Sequence, residues 1–558
     1  MLKWIWRTAV FCVALTLAWL IYRFIILRPG PFYWDEAAHS LKGLLIAHDL
    51  RTGDFLSFLY DTYKQVYWPP LHSWLIAVAF FLAEPSPVTA RSLTLVCYLL
   101  TALTIYIAAL QFRQRHREVA ASVAAILFLT SPLVIVYSAQ AMLEIPGVFF
   151  ISLTALIYIW LHAKSHPDKS HIWLGIAITS AYFTRTNYGI LLVLVWSVSV
   201  YFGGGIRALF SRSSLYVMLP VAISLVIWFL YPPKIRSTLA ALVNQPFGME
   251  DPYSLAGLLF YPNVVLHFFG SVWQSILPIA GFILAFRYWK NPGVRFVLLL
   301  GVIQLALAIP HHTRGDRHMV AMAPALALAA GFVFGEYWSA WSGLVGRWAP
   351  RAATIAICGM NVVLFPSFLH PGMTGSQSEV PNRIAAEAKV HKSTLILGTR
   401  EFNYPSPPGL DWSLVVDAKL MPITHSGVTM NLEEDRKIWR IAQNLPLPFL
   451  LKNALNRVTS RGDQKAKLRS IYLGLVDEYT GVGNVEKARR IVSSIDAADP
   501  FEVIYVATNP NSRPDYPIEF IDEVIKPLGF ERVSTETFAQ DARGDLYRRT
   551  AAAPDSPR

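Results

Sequence analysis

The chain has 558 residues, 54% of them hydrophobic and 15% charged, against the ~25% charged residues of an ordinary soluble protein. That balance excludes a water-soluble globular protein and marks an integral membrane protein. The net charge of +12 lies wholly in residues 1–368, which hold 25 Lys and Arg against 13 Asp and Glu; residues 369–558 hold 24 of each. An excess confined to the membrane half reflects topology and does not call for a nucleic acid. Cys12, Cys97 and Cys358 all lie in apolar runs, where a thiol is a small core residue and says nothing of redox compartment.

The first apolar run, Thr8 to Leu27, is long enough for ~30 Å of hydrocarbon. Lys3 and Arg7 precede it and hold its N-terminus in the cytoplasm. No small-x-small cleavage site follows, so an uncleaved span is expected. The next residues, Pro31-Phe-Tyr-Trp-Asp35-Glu36, therefore place two adjacent carboxylates outside. Their plainest role is as first-turn helix carboxylates. Residues 36–66 carry apolar side chains at helical spacing and read as short amphipathic helices on the membrane surface. Tyr67-Trp68-Pro69-Pro70 then opens a helix over Leu71 to Ala83, at about 20 Å too short to span. Residues 28–90 are thus one external loop.

Further spans are expected near 91–111, 119–136, 145–162, 172–184, 187–202, 215–231, 263–286, 296–310, 319–340 and 352–368, eleven in all with the first. The segments between them alternate between basic and base-poor, which puts the N-terminus inside and the C-terminus outside a cell membrane. Residues 172–202 are few for two crossings, but basic loops flank both ends and demand an even number of passes. Beyond 368 charge rises and short β-like runs appear at 394–397, 503–506 and 544–547, with a helix-like stretch at 517–528 and mostly helical character over 428–493. Two domains follow: a transmembrane helical domain over 1–368 and a soluble extracytoplasmic α/β domain over 369–558. The second shows no Gly-rich phosphate loop, metal-spaced Cys/His set or nucleophile elbow.

Ionisable residues near span ends are costly and are candidates for function. On the external face they are Asp35, Glu36, His39, Lys42, Asp61, Lys64, His72, Glu144, Arg185, Lys234, Arg236, His311, His312, Arg314, Asp316, Arg317 and His318. Glu144 stands where an apolar span starts, as a first-turn helix carboxylate or as a functional group. Arg185 stands alone between two short spans, snorkelling to the interface or binding an anion. Arg314-Gly-Asp-Arg317-His318 runs against the positive-inside bias, so snorkelling explains it less well. His311-His312 lack clear ligand geometry; a divalent metal is compatible with them but not indicated, and no cofactor is required. External carboxylates with external arginines suggest a pocket for an amphiphile. Arginine forks would hold a phosphate, and a carboxylate would take a proton from an attacking hydroxyl or amine.

These motifs, in this order, resemble the GT-C membrane glycosyltransferases that include protein O-mannosyltransferases and lipid A aminoarabinose transferases, over about residues 1–340. Trp34-Asp35-Glu36-Ala37 is similar to the family's Asp-Glu after the first span, and Trp68-Pro69-Pro70-Leu71-His72 to its Pro-Pro-Leu before an interfacial helix. Pro87-Val-Thr-Ala-Arg91 resembles its Arg-led start of the next span. Met142-Leu143-Glu144 falls where members usually carry Asp; Thr184-Arg185-Thr186-Asn187 resembles a basic motif; Arg317-His318 before Pro324 resembles Arg-Tyr before a Pro-containing span. The resemblance implies a polytopic, mostly α bundle of GT-C type and inverting transfer of a sugar from a polyprenyl-phosphate donor to an extracytoplasmic glycan, lipid or protein. It implies Asp35 as base or acceptor-orienting group, Glu144 assisting, and Arg185 and Arg317 on the phosphate. Glu36, His39, Lys42, Tyr67, His72, Asn187, Arg314 and His318 complete the candidate substrate-binding set. No nucleotide sugar is needed. Two alternatives stand beside it. A transporter or flippase of a lipid-linked sugar would want polar residues and broken helices at mid-membrane with repeated halves. A purely structural envelope protein would leave the carboxylate and arginine set unexplained.

Overall fold

The computed structural model describes residues 2–338 apart from 28–31, 33, 66–67, 113, 115, 164–165, 236–252 and 312–313. From 339 onward it describes chiefly 383–398, 421–426, 467–472, 501–508, 525–537 and 543–550, with Trp412 and Lys437. It divides into two compact units. The first comprises Met1–Leu27, Phe55–Ile76 and Val88–His370; the second comprises Arg28–Asp54, Ala77–Pro87 and Pro371–Arg558.

The first unit is helical. Its long elements are α1 (Leu2–Ile21), α5 (Pro87–Gln111), α6 (Arg117–Leu129), α7 (Pro132–Ser138), α8 (Glu144–Ala163), α9 (Ile172–Thr184), α10 (Thr186–Leu209) and α11 (Arg212–Phe229). These are followed by α12 (Leu255–Leu266), α13 (Val272–Ala285), α14 (Pro292–Ala308), a 3-10 turn over Asp316–Met322 and α15 (Ala323–Tyr337). Between α1 and α5 come α2 (Trp34–Thr52), of the second unit and at 19 residues longer than expected, and then α3 (Phe55–Tyr63) and α4 (Leu71–Leu82), short as the spacing predicts. The expected pair of helices in 172–202 is present, broken at Arg185, and the second continues past 202 to a kink at Gly205 and ends at Leu209.

The expected count of eleven spans is not confirmed. Among the described residues six helical segments are long and apolar enough to cross a membrane, or seven if α6 and α7, bent by 62°, form one span. The expected span 119–136 breaks at Thr130-Ser131, because Pro132 opens a new helix and cannot continue the old one. The expected span 263–286 is two helices. Gly270, at φ 102°, turns the chain in a conformation other residues rarely adopt, and the Ser271 side chain caps α13 by accepting from the Gln274 backbone N–H. The expected span 352–368 lies outside the described residues.

The core of this unit runs along the contact of α6 with α15. Both helices are Ala-rich there, so the backbones approach closely, as membrane helices do with small residues at their crossings. A Cβ on Gly331 would lie 2.5 Å from the Ala120 carbonyl oxygen, which only backbone movement could relieve. At one end of the helices Arg7 of α1 donates to Glu118 at 2.7 Å, and the Tyr106 hydroxyl donates to the same carboxylate at 2.8 Å.

The second unit holds a six-stranded sheet in the order β2-β3-β1-β4-β6-β5, made of β1 (Ser393–Gly398), β2 (Met421–Ser426), β3 (Lys467–Tyr472), β4 (Val503–Thr508), β5 (Phe530–Thr537) and β6 (Arg543–Arg549). β2, β3, β1 and β4 are parallel, and β6 and β5 add an antiparallel edge. The three expected β-like runs fall on β1, β4 and β6. β3 interrupts the stretch 428–493 that reads as mostly helical, and most of the rest of that stretch lies outside the described residues. Of the helix-like 517–528, only the last four residues are described, ending in a 3-10 turn over Lys526–Leu528. Val503, Ile504, Tyr505 and Val506 of β4 are buried with Phe530, Leu546 and Tyr547. In the same unit α2 buries Ala37, Leu41, Leu44 and Leu45, Phe32 packs edge-on to Trp412 with ring centroids 4.7 Å apart, and Lys437 reaches Asp49 at 3.1 Å.

Candidate active site

Three of the candidate residues meet in the first unit. Arg185 occupies the break between α9 and α10 with extended backbone angles, φ −154° and ψ 119°. The local sequence favours the break: Thr184 and Thr186 are β-branched, and the Thr184 hydroxyl donates back to the Ser180 carbonyl. The guanidinium emerging there is buried. Its Nη1 donates to Glu144 Oε1 at 2.9 Å and to the Tyr188 hydroxyl at 3.1 Å, and its Nη2 donates to His318 Nδ1 at 3.1 Å. Its Cζ also lies 5.0 Å from the centre of the Tyr188 ring.

Each partner is fixed by its own element. Glu144 is the first residue of α8, so it is a first-turn carboxylate and an ion-pair partner at once, and it is only 2% exposed. Gly147, one turn on, lets Tyr188 in: a Cβ there would lie 2.5 Å from the Tyr188 ring. His318 sits in the 3-10 turn that leads into α15, and the Gln304 side chain of α14 donates to its carbonyl at 2.8 Å. Glu144, Arg185 and His318 thus stand at the N-terminal ends of α8, α10 and the α15 segment. Side chains from three helix starts meet here, and a helix N-terminal end favours a negative charge such as that of Glu144.

Around this core, the Tyr137 hydroxyl donates to Asp316 at 2.6 Å, and the Arg314 guanidinium lies 5.4 Å from the Tyr261 ring centre and 5.9 Å from that of Phe260. The rings of His311 and His318 are 4.9 Å apart, and His72 Nε2 contacts the Ala141 carbonyl oxygen at 3.3 Å, three residues before Glu144. A cavity of about 200 Å³ is lined by Leu133, Asn263, Val264, His267, Phe268 and Asp316. It is smaller than the ~300–1,000 Å³ of pockets for drug-sized ligands, so it suits one small ring at most.

Asn187 is exposed in the first turn of α10, and Arg317 is half-buried beside His318. Asp35, Glu36, His39 and Lys42 belong to the second unit, on the first turns of α2, with Glu36 and His39 buried. Asp35, His39 and Lys42 follow at intervals of four and three and share one helix face. Tyr67, Arg236 and His312 lie outside the described residues. Among the described residues no three His, Cys, Asp or Glu side chains gather as a metal site would need. Tyr188 and Tyr137 are members of the cluster that sequence reasoning did not single out. The one signal was the placing of Tyr188 three residues after Arg185, a spacing that makes helix neighbours.

A family model, described as Dolichyl-phosphate-mannose-protein mannosyltransferase, matches residues 68–231. Among solved structures, ArnT from Cupriavidus metallidurans in the apo state superposes with a TM-score of 0.60 at 12% identity, covering 98% of this chain and 100% of that one. The same protein bound to undecaprenyl phosphate gives 0.56 at 13% identity, with 99% of each chain covered. The archaeal oligosaccharyltransferase AglB from Archaeoglobus fulgidus, in complex with an inhibitory peptide and a dolichol-phosphate, gives 0.54 at 12%, covering 99% of this chain and 75% of that one. No curated protein matches the sequence. The chain is therefore a multi-pass membrane protein with the GT-C fold, a polytopic helical domain carrying a C-terminal α/β domain.

Proposed function

We propose that this protein is a membrane glycosyltransferase that moves a sugar from a polyprenyl-phosphate donor to an extracytoplasmic acceptor with inversion. The observation that carries this reading is the buried Glu144–Arg185–His318 cluster, built by side chains from three helix starts, in a fold shared with ArnT and AglB. The acceptor's hydroxyl or amine attacks the anomeric carbon from the face opposite the phosphate. The new bond forms as the bond from that carbon to the phosphate oxygen breaks, the electron pair leaves with the lipid phosphate, and a carboxylate takes the acceptor's proton, the role that the motif resemblance gives Asp35. Arg317 and Arg314 hold the phosphate, and Arg185 adds its positive charge against the charge growing on the leaving group. Glu144 fixes Arg185. The comparisons match glycosyltransferases and lend the transporter reading no support.

Lipid-linked sugar profiling of a deletion strain tests this reading. One polyprenyl-phosphate sugar should accumulate while a glycosylated envelope product disappears. Accumulation of the same lipid on the cytoplasmic face alone would point to a transporter instead.

The proposed orientation, with the C-terminal domain outside, rests on the basic-loop asymmetry. Val533 on β5 is 53% exposed, so a cysteine there is accessible to reagent. It should react with an impermeant thiol reagent in intact cells, or in spheroplasts where an outer membrane intervenes. Protection until the inner membrane is opened would reverse the orientation.

A further inference from the structure

The Arg185 guanidinium leaves a mark on its two neighbours. A guanidinium only donates hydrogen bonds, so His318 Nδ1, 3.1 Å from Nη2, must be the acceptor. A ring nitrogen that accepts carries no proton, and the proton of the neutral imidazole is then on Nε2. His318 is only 8% exposed, and its Nε2 has no hydrogen-bond partner among the described residues. Glu144 shows the complement. Its Oε1 accepts from Arg185, while its Oε2 is buried and likewise has no hydrogen-bond partner among the described residues. Buried polar groups are nearly always paired, so one donor and one acceptor anchored on the same guanidinium ask for a ligand that supplies both.

We propose that His318 Nε2–H and Glu144 Oε2 form a donor–acceptor pair that reads one hydroxyl of the transferred sugar, the hydroxyl donating to Oε2 and accepting from Nε2–H. Arg185 is the positioning residue. It fixes the imidazole tautomer through Nη2 and the carboxylate through Nη1, and Tyr188 holds the fork from the side. His318 acts here as a neutral donor and not as an acid or base. A phenol in its place would also donate, so the departure from Arg-Tyr to Arg317-His318 keeps a donor while changing its reach. This proposal rests on the sugar-transfer reading for the identity of its ligand.

The test compares binding of undecaprenyl phosphate with binding of mannosyl-, glucosyl- and arabinosyl-phosphoundecaprenol to the purified full-length protein in detergent. The wild type should bind at least one sugar-bearing lipid roughly tenfold or more tightly than the bare lipid phosphate, the worth of a well-made hydrogen bond to a charged group. H318N places an amide at the Nδ1 position only and should lose most of that preference. H318Q places an amide N–H near the Nε2 position and should recover most of it. A structural role for His318 would not separate the two amides, and a thermal melt confirms that each variant is folded. Equal behaviour of H318N and H318Q would overturn the pair. A wild type that transfers sugar yet binds none of the three lipids better than undecaprenyl phosphate would also overturn it, while leaving the transfer reading intact. A wild type that transfers no sugar counts against the transfer reading itself.

Discussion

Asp35→Asn should lower turnover by roughly 10²- to 10⁴-fold while binding of the lipid donor changes little. The substitution keeps the shape of the side chain and one hydrogen-bonding oxygen and removes the group that takes the acceptor's proton. Asp35 is in the first turn of α2, half-buried, and the adjacent Glu36 is 2% exposed. Neighbouring helix residues point about 100° apart, so Glu36→Gln should act differently and more mildly. Turnover and donor binding measured on the purified variants separate the two. A first-turn carboxylate also favours its helix through the macrodipole, a contribution of only about 0.3–1 kcal/mol. If that is its whole role, the melt of Asp35→Asn falls slightly and activity stays.

Arg185→Ala should be strongly destabilising. It leaves the Glu144 carboxylate, 2% exposed, without its cation, and breaking a buried pair from one side costs about 3–5 kcal/mol. Arg185→Lys should rescue only in part, because an ammonium cannot hold Glu144, Tyr188 and His318 with one planar fork. The double variant Arg185→Met with Glu144→Gln removes the charge from both sides and should recover much of the stability, yet none of the activity. Thermal melts and turnover on the four proteins decide it. Equal melting of the single and double variants would mean that the pair is not a coupled buried pair at all.

How far the site could be read from the chain differs from residue to residue. The break at Arg185 was legible because basic segments on both sides of 172–202 allow only an even number of crossings, and the helix boundary then falls on Thr-Arg-Thr-Asn. Glu144 at a helix start was legible from the polar-to-apolar change at that point. Their meeting with His318, 133 residues beyond Arg185, was not, since nothing local specifies which span ends adjoin. Tyr188 and Tyr137 lie in apolar stretches where a tyrosine reads as packing, and only the structure shows their hydroxyls engaged. The helix breaks were missed for a related reason. Around Pro132 and Gly270 only a few polar residues interrupt the apolar run, so a window that sums apolar character runs across the very residues that stop a helix. In the C-terminal unit β4 shows as an apolar run, whereas β3 carries Lys467 and Arg469, and β5 alternates charged and polar residues on an edge. Strand pairing there is set by parallel partners distant in sequence, which local pattern does not encode.

The most direct measurement is the chemical fate of the donor lipid. Purified protein in sealed proteoliposomes is given a labelled polyprenyl-phosphate sugar together with an envelope extract as acceptor, and the lipid is recovered. The transfer reading predicts free polyprenyl phosphate and labelled acceptor in equal amounts, both reduced roughly 10²-fold or more by Asp35→Asn. Intact sugar-lipid that has only changed leaflet, equally in wild type and variant, would contradict it.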